Sequence, residues 1–176
     1  GGILADDMGL GKTLQVIAVL LAAHEEGKTM PSLIVTPASL VYNWQEEFAQ
    51  FAPQLRVGVV AGNQQKRQEC LQQYQDFDVL VTSYDLLKRD ISEYEDREFA
   101  YQVIDEAQYI KNHTTAASKA VKVIRARVKY ALTGTPIENR LSELWSIFDY
   151  LMPGFLYGYQ KFREQFELPL VRNGDE

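Results

Sequence analysis

Six short apolar runs punctuate the chain: GGILA (1–5), SLIVTP (32–37), RVGVVAG (56–62), FDVLVTSY (77–84), YQVIDEA (101–107) and KYALTGTP (129–136). Most are near-continuous in valine, isoleucine and leucine instead of alternating, which predicts strands buried on both faces. Between them the spacing turns helical. KTLQVIAVLLAAH is apolar almost all round, which predicts a buried helix. LVYNWQEEFAQF places Trp44, Phe48 and Phe51 at i, i+4 and i+7. LSELWSIFDYL places Leu141, Leu144, Trp145, Phe148 and Leu151 on one stripe. Aromatics at helical spacing read as core and not as ligand contacts. Strand and helix in alternation predict an α/β domain, a mostly parallel sheet flanked by helices on both faces. Ligands of such sheets bind beyond the carboxyl ends of the strands, and the polar motifs of this chain all lie there.

Composition narrows the picture. The 176 residues, 46% of them hydrophobic, suffice for one packed domain. There is no internal repeat and no low-complexity segment. The apolar runs are too short to span a bilayer and no leader pattern opens the chain, so no membrane partner is expected. A single cysteine, Cys70, leaves no internal disulfide. It suits a reducing compartment, cytoplasm or nucleoid in a prokaryote and nucleus in a eukaryote. Within KRQECLQQY it reads as a helix-packing residue. Cys70, His24 and His113 offer no metal-site spacing. A net charge of −6 argues against gripping nucleic acid by bulk electrostatics. It leaves open a local phosphate track built from backbone amides. Opening at Gly1 and closing on the polar LVRNGDE, the chain reads as a piece of a longer protein.

The first polar motif is DDMGLGKTLQ, residues 6 to 15. The common phosphate loop is G-x-x-x-x-G-K-S/T, and here Asp6 stands where its first glycine belongs. Gly9 and Gly11 remain where the backbone must approach phosphate oxygens closely. Amides at a helix start point at the anion, Lys12 adds a point charge, and the Thr13 hydroxyl suits Mg²⁺. The expected nucleotide-binding set is Asp7, Gly9, Leu10, Gly11, Lys12, Thr13 and Leu14. The side chains of Asp6 and Asp7 would repel a triphosphate and are expected to point away. A plain glycine turn opening a helix is the competing reading; the strand before it and the acidic motif downstream weigh against it.

That acidic motif, YQVIDEAQYIKN, ends a buried strand with Asp105 and Glu106. Adjacent carboxylates at a strand end suit two tasks: holding Mg²⁺ through its water shell, and orienting and deprotonating an attacking water. At the ends of two other strands, TPASLVYNW and TSYDLL supply Thr36, Ser39, Thr82 and Ser83. Spacing alone reads these as helix N-caps.

Taken in order, GILADDMGLGKTLQ, LIVTPASLVYNWQEEF, VLVTSYDLL, VIDEAQYIKN and LTGTPIENRLSELWSIFDYLMPGFL resemble motifs I, Ia, Ib, II and III of the Swi/Snf-type ATPases of helicase superfamily two. The resemblance is closer to bacterial or archaeal members, and in this family motif I commonly carries an acidic residue in place of the first glycine. It implies a RecA-like first lobe of a two-lobe motor over 1–156, without the segment that precedes motif I. Residues 157–176 would begin the connection to a second lobe. By position, Lys12, Asp105 and Glu106 would be catalytic, with Thr13 and Asp105 on Mg²⁺ and Glu106 as general base. Gln108, Thr133, Gly134 and Thr135 would couple nucleotide state to the DNA side, and Glu138 and Asn139 would continue the motif. Most members read D-E-A-H where this chain has Gln108, which can hydrogen-bond but cannot become cationic. The resemblance assigns duplex-DNA contact to Thr36, Ser39, Thr82, Ser83, Lys111 and Asn112. It implies ATP and Mg²⁺ as ligands. The implied partners are duplex DNA, a DNA-bound protein to be remodelled, and the second lobe of the same chain. The alternatives are another superfamily-two helicase, a restriction-type translocase, or a non-catalytic scaffold gated by nucleotide. Lacking the second lobe's arginine finger, this piece alone is expected to hydrolyse ATP barely.

Overall fold

The computed structural model of the chain describes residues 2–5, 9–133, 141–151, 153 and 158. Along the chain run β1 (Gly2–Ala5), α1 (Gly9–Glu25), β2 (Ser32–Thr36), α2 (Val41–Phe51), β3 (Val57–Val59), α3 (Gln64–Gln72) and β4 (Val79–Ser83). They are followed by α4 (Tyr84–Arg89), α5 (Ile91–Tyr94), β5 (Glu98–Ile104), α6 (Ala116–Val123), β6 (Arg125–Thr133) and α7 (Leu141–Leu151). Short 3₁₀ turns occupy Ala38–Leu40, Tyr74–Asp76 and Ala107–Ile110.

The strands form one sheet in the order β1-β6-β5-β2-β4-β3, and every neighbouring pair is parallel. Helices cover both faces, as the strand–helix alternation predicts. β2 and β4 are buried along their whole length, and alternate residues feed two separate cores. Leu33, Val35, Leu80, Ile104 and Ala131 pack under α3 to α7, where Leu71, Leu87, Val121, Ile147 and Tyr150 meet them. Ile34, Val79, Val81, Val103 and Leu132 pack under α1 and α2, against Ile17, Leu20, Trp44 and Phe48. The period of two along a strand is what sorts these residues.

Three expectations change. The helix α1 is not buried all round: Val16, Ile17, Leu20 and Ala23 face the sheet, while Ala18, Val19 and Ala22 are exposed. Its outer side borders an open apolar groove of about 410 Å³ walled by Val19, Tyr101 and Tyr130. Phe51, the last residue of α2, is exposed as well. The strands β5 and β6 begin earlier than their apolar cores, because Glu98, Arg125 and Arg127 face solvent and interrupt the hydrophobic run. Of the expected α7 stripe Trp145 is buried, beside Ser146, Ile147 and Tyr150, while the side chains of Leu141, Leu144 and Phe148 lie outside the described ones. Among the described residues no helix is long and apolar enough to cross a membrane.

Two local features hold the β3–β4 end. Arg67 of α3 bonds Asp90 through Nε at 2.7 Å and a terminal nitrogen at 3.0 Å, and its other nitrogen donates to the Gly62 carbonyl at 2.8 Å. Gly58 lies so close to β4 that a Cβ there would sit 2.8 Å from Leu80 Cδ2 and 3.0 Å from the Phe77 ring. Leu80 is fully buried and has nowhere to retreat. Gly58→Ala is therefore expected to cost about 1–3 kcal/mol by overpacking, read as a lower urea midpoint at unchanged slope.

Candidate active site

The strand order sets the geometry. β6 lies between β1 and β5, with Ala5 opposite Thr133 and Ile104 opposite Ala131. The ends of β1, β6 and β5 therefore open side by side, where both ligand-bearing motifs emerge. A cavity of about 230 Å³ at this edge is lined by Lys12, Thr13, Leu40, Asn43, Trp44, Glu47, Asp105 and Glu106. It brings together Lys12, Thr13, Asp105 and Glu106, all expected from sequence.

Lys12 is 5% exposed and Thr13 half-buried, both in the first turns of α1. That helix already begins at Gly9, so Gly9, Leu10 and Gly11 form its first turn and do not precede it. Leu14 is half-buried one residue further on. Asp6, Asp7, Gly134, Thr135, Glu138 and Asn139 lie outside the described residues. Thr133 ends β6 in the interior.

Asp105 follows the last residue of β5 and is held on every side. Its N–H donates to the Val35 carbonyl at 2.7 Å. Its Oδ2 accepts from Thr36 Oγ1 at 3.0 Å and Trp44 Nε1 at 2.9 Å, and its Oδ1 accepts from the Glu106 N–H at 2.9 Å. Burial pushes the Asp105 carboxyl above the usual range, against the pull of the Trp44 and Thr36 bonds, and nearby Glu106 adds to the rise. Glu106 adopts a left-handed backbone, φ 51° and ψ 55°. Its carboxylate accepts from Gln108 Nε2 at 2.5 Å, while Gln108 Oε1 is buried without a partner among the described residues. Gln108 thus touches the catalytic candidate directly.

Three residues join the site without a sequence signal. Trp44 reads as core and is buried, yet its indole N–H must find an acceptor when buried, and the acceptor is Asp105. Glu47 stands one helical turn beyond it; burial raises its carboxyl, a bond from Thr13 lowers it, and Asp105 raises it again. Tyr84 donates to the Asp105 carbonyl at 2.6 Å. Burial pushes its phenol far above the ordinary value, so it stays a donor.

The donor set fits Mg²⁺. Glu47, Asp105 and Glu106 crowd one cavity with Lys12, and their mutual repulsion is what a bound cation would relieve. No cluster of three His, Cys, Asp or Glu ligands occurs among the described residues. Mg²⁺ needs none, since it is held by one or two carboxylates, waters and substrate phosphates.

The residues assigned to duplex contact divide. Ser39, Lys111 and Asn112 are exposed. Thr36 is fully buried and bonds Asp105, Thr82 is fully buried and donates to the Val60 carbonyl at 3.0 Å, and Ser83 caps α4 by accepting from Leu86 N–H. Those three side chains act inward in this structure, unlike the surface hydroxyls expected from sequence. The bland assignments stand elsewhere. Cys70 packs against the core with its thiol raised by burial, His24 pairs with Asp78 at 3.4 Å, and His113 meets the Trp145 ring edge-on.

Comparison with known proteins agrees with this fold. The family profile described as SNF2-related domain matches residues 1–176. The chain is 46% identical to an ATP-dependent helicase of Mycoplasma genitalium over 95% of its own length and 16% of that protein. It is 44% identical to the TATA-binding protein-associated factor MOT1 of Saccharomyces cerevisiae, over 97% of this chain and 10% of that one. A putative ATP-dependent helicase/translocase of Bacillus subtilis, YwqA, shares 42% identity over all of this chain and 19% of its own. Among solved structures, the Sulfolobus solfataricus SWI2/SNF2 ATPase core in complex with dsDNA superposes with a TM-score of 0.87 at 44% identity. That match covers 97% of this chain and 35% of the core. The chain thus spans less than a fifth of these longer relatives.

Proposed function

The chain belongs to the SNF2-related domain family, and from that premise we propose that it is the first, ATP-binding lobe of a motor that hydrolyses ATP, moves along duplex DNA and remodels protein–DNA contacts. The single observation behind this is the convergence of Lys12, Thr13, Asp105 and Glu106 on one cavity at the strand ends. Residues 1–156 would form the lobe and 157–176 the start of the link to a second one, which would supply the arginine that accelerates such transfers.

Each residue has a task that its surroundings suit. Lys12, buried at the mouth of the cavity, offsets the charge of the β- and γ-phosphates. Gly9, Leu10, Gly11 and Leu14 shape the first turns of α1 around them, with Asp7 just upstream. Thr13 and Asp105 would hold Mg²⁺, Asp105 with its carboxylate aimed by Thr36 and Trp44. When bound, the metal neutralises charge developing on the transferred phosphoryl group. Glu106 orients the attacking water and takes its proton as the water oxygen bonds to the γ-phosphorus and ADP departs. Gln108 holds that carboxylate by one oxygen. Thr133, at the end of the strand between the two motifs, together with Gly134 and Thr135, reports phosphate state to the duplex side. Ser39, Lys111 and Asn112 would meet the DNA backbone, positioning a strand without reading its sequence. Thr36, Thr82 and Ser83 brace the strand ends beneath them.

The test is steady-state ATP hydrolysis by the full-length parent protein with no nucleic acid, duplex DNA, single-stranded DNA or RNA. Strong stimulation by duplex DNA is the expected result. Turnover indifferent to every nucleic acid would leave the nucleotide-gated scaffold as the better reading.

A further inference from the structure

Beyond the carboxylates themselves, one side chain is joined to their backbone from a different strand. Tyr84 directly follows β4, opens α4, and is 3% exposed. Its hydroxyl donates to the carbonyl of Asp105 at 2.6 Å. That carbonyl belongs to the peptide joining Asp105 to Glu106, whose N–H donates to Asp105 Oδ1 at 2.9 Å. Both polar ends of a single peptide are held. The next residue, Glu106, has φ 51°, a conformation that a residue with a side chain keeps only when its surroundings enforce it. Held so, Glu106 lines the cavity; a peptide freed of the Tyr84 bond would be able to rotate and carry the carboxylate away.

The outer face of Tyr84 points to where the clamp is addressed. Tyr109 stacks on it with ring centroids 5.0 Å apart and planes at 7°. Tyr109 is 52% exposed, two residues from the exposed pair Lys111 and Asn112. A strand of DNA lying on that pair would cover the Tyr109 ring and press it onto Tyr84. The neighbouring strand end repeats the pattern: Thr36, opposite Ser83 in the sheet, bonds the carboxylate of the same aspartate.

We infer that Tyr84 is a positioning residue that passes duplex engagement at the Tyr109 surface to the peptide aiming Glu106. This rests on the proposed reading of the parent protein as a duplex-stimulated ATPase.

Tyr84→Phe keeps the ring, its burial and its stacking, and deletes only the donor. In the full-length protein, the ratio of kcat with duplex DNA to kcat without it is expected to fall about tenfold, the size of effect when a buried acceptor loses its partner. The KM for ATP should not move. Tyr109→Ala, which leaves the hydroxyl bond and the core intact, should lower the same ratio. A wild-type ratio in Tyr84→Phe, whether or not kcat falls in both conditions, overturns the relay and leaves Tyr84 a structural residue. A wild-type ratio in Tyr109→Ala overturns the surface half of it. A wild-type protein that duplex DNA does not stimulate overturns the proposed function, and the relay with it.

Discussion

Replacing Glu106 by glutamine in the full-length protein should cut duplex-stimulated ATP turnover by about 10²- to 10⁴-fold and leave Mg-ATP binding in place. The substitution is nearly isosteric, so Gln108, which now donates to this carboxylate at 2.5 Å, keeps an oxygen to bond. What disappears is the capacity to take a proton from water. Binding should persist because Lys12, Thr13 and Asp105 are untouched, and one carboxylate fewer faces the triphosphate. Asp105, whose carboxyl Glu106 helps to raise, would feel less repulsion. Steady-state kinetics beside equilibrium binding of a fluorescent ATP analogue separates the two effects. Turnover within tenfold of wild type would remove Glu106 from the role of general base. Loss of binding in step with turnover would make it a ligand contact.

The largest effect on stability should come from Arg67. Side-chain exposure of Arg67 and Asp90 is only 9% and 8%, and two bonds of 2.7 and 3.0 Å join them. Arg67→Met would leave the Asp90 carboxylate covered and unpaired, and release the Gly62 carbonyl. Breaking such a pair from one side costs about 3–5 kcal/mol. Replacing both, Arg67→Met with Asp90→Leu, should recover most of the loss, since the remaining penalty is a buried charge without a partner. Urea unfolding of wild type, single and double variants decides this. A single variant within 1 kcal/mol of wild type would mean that water already shares the site.

The sheet was legible because β2 and β4 are buried on both faces, which leaves an unbroken apolar run in the sequence. Where a face is open the signal weakens: the solvent-facing Arg125 and Arg127 concealed the first half of β6. Lys12, Thr13, Asp105 and Glu106 were legible because phosphate chemistry needs particular residue types at fixed local spacing. Trp44 and Tyr84 were not, because their role is a contact and not a motif. Trp44 reaches Asp105 across 61 residues and Tyr84 across 21. A core aromatic with one polar atom looks the same in sequence whether its partner is a carboxylate or a neighbouring carbonyl. For Thr36 and Thr82, hydroxyls at strand ends suggested a surface, while the sheet's neighbouring strands had already enclosed them.

The placement of β6 between β1 and β5 also governs how the site is built in time. Among the described residues β1 pairs only with β6, Gly2 meeting Tyr130, although almost the whole described chain lies between them. Closing so long a loop is slow relative to forming neighbouring contacts. The strands from β2 to β5 can assemble first, with Asp105 already braced by Val35 and Thr36, while the phosphate loop waits on an unpaired strand. As the chain leaves the ribosome, the acidic half of the site can therefore be completed before the half that grips phosphate. ATP can then serve as a late ligand that captures β1 once β6 has provided its place.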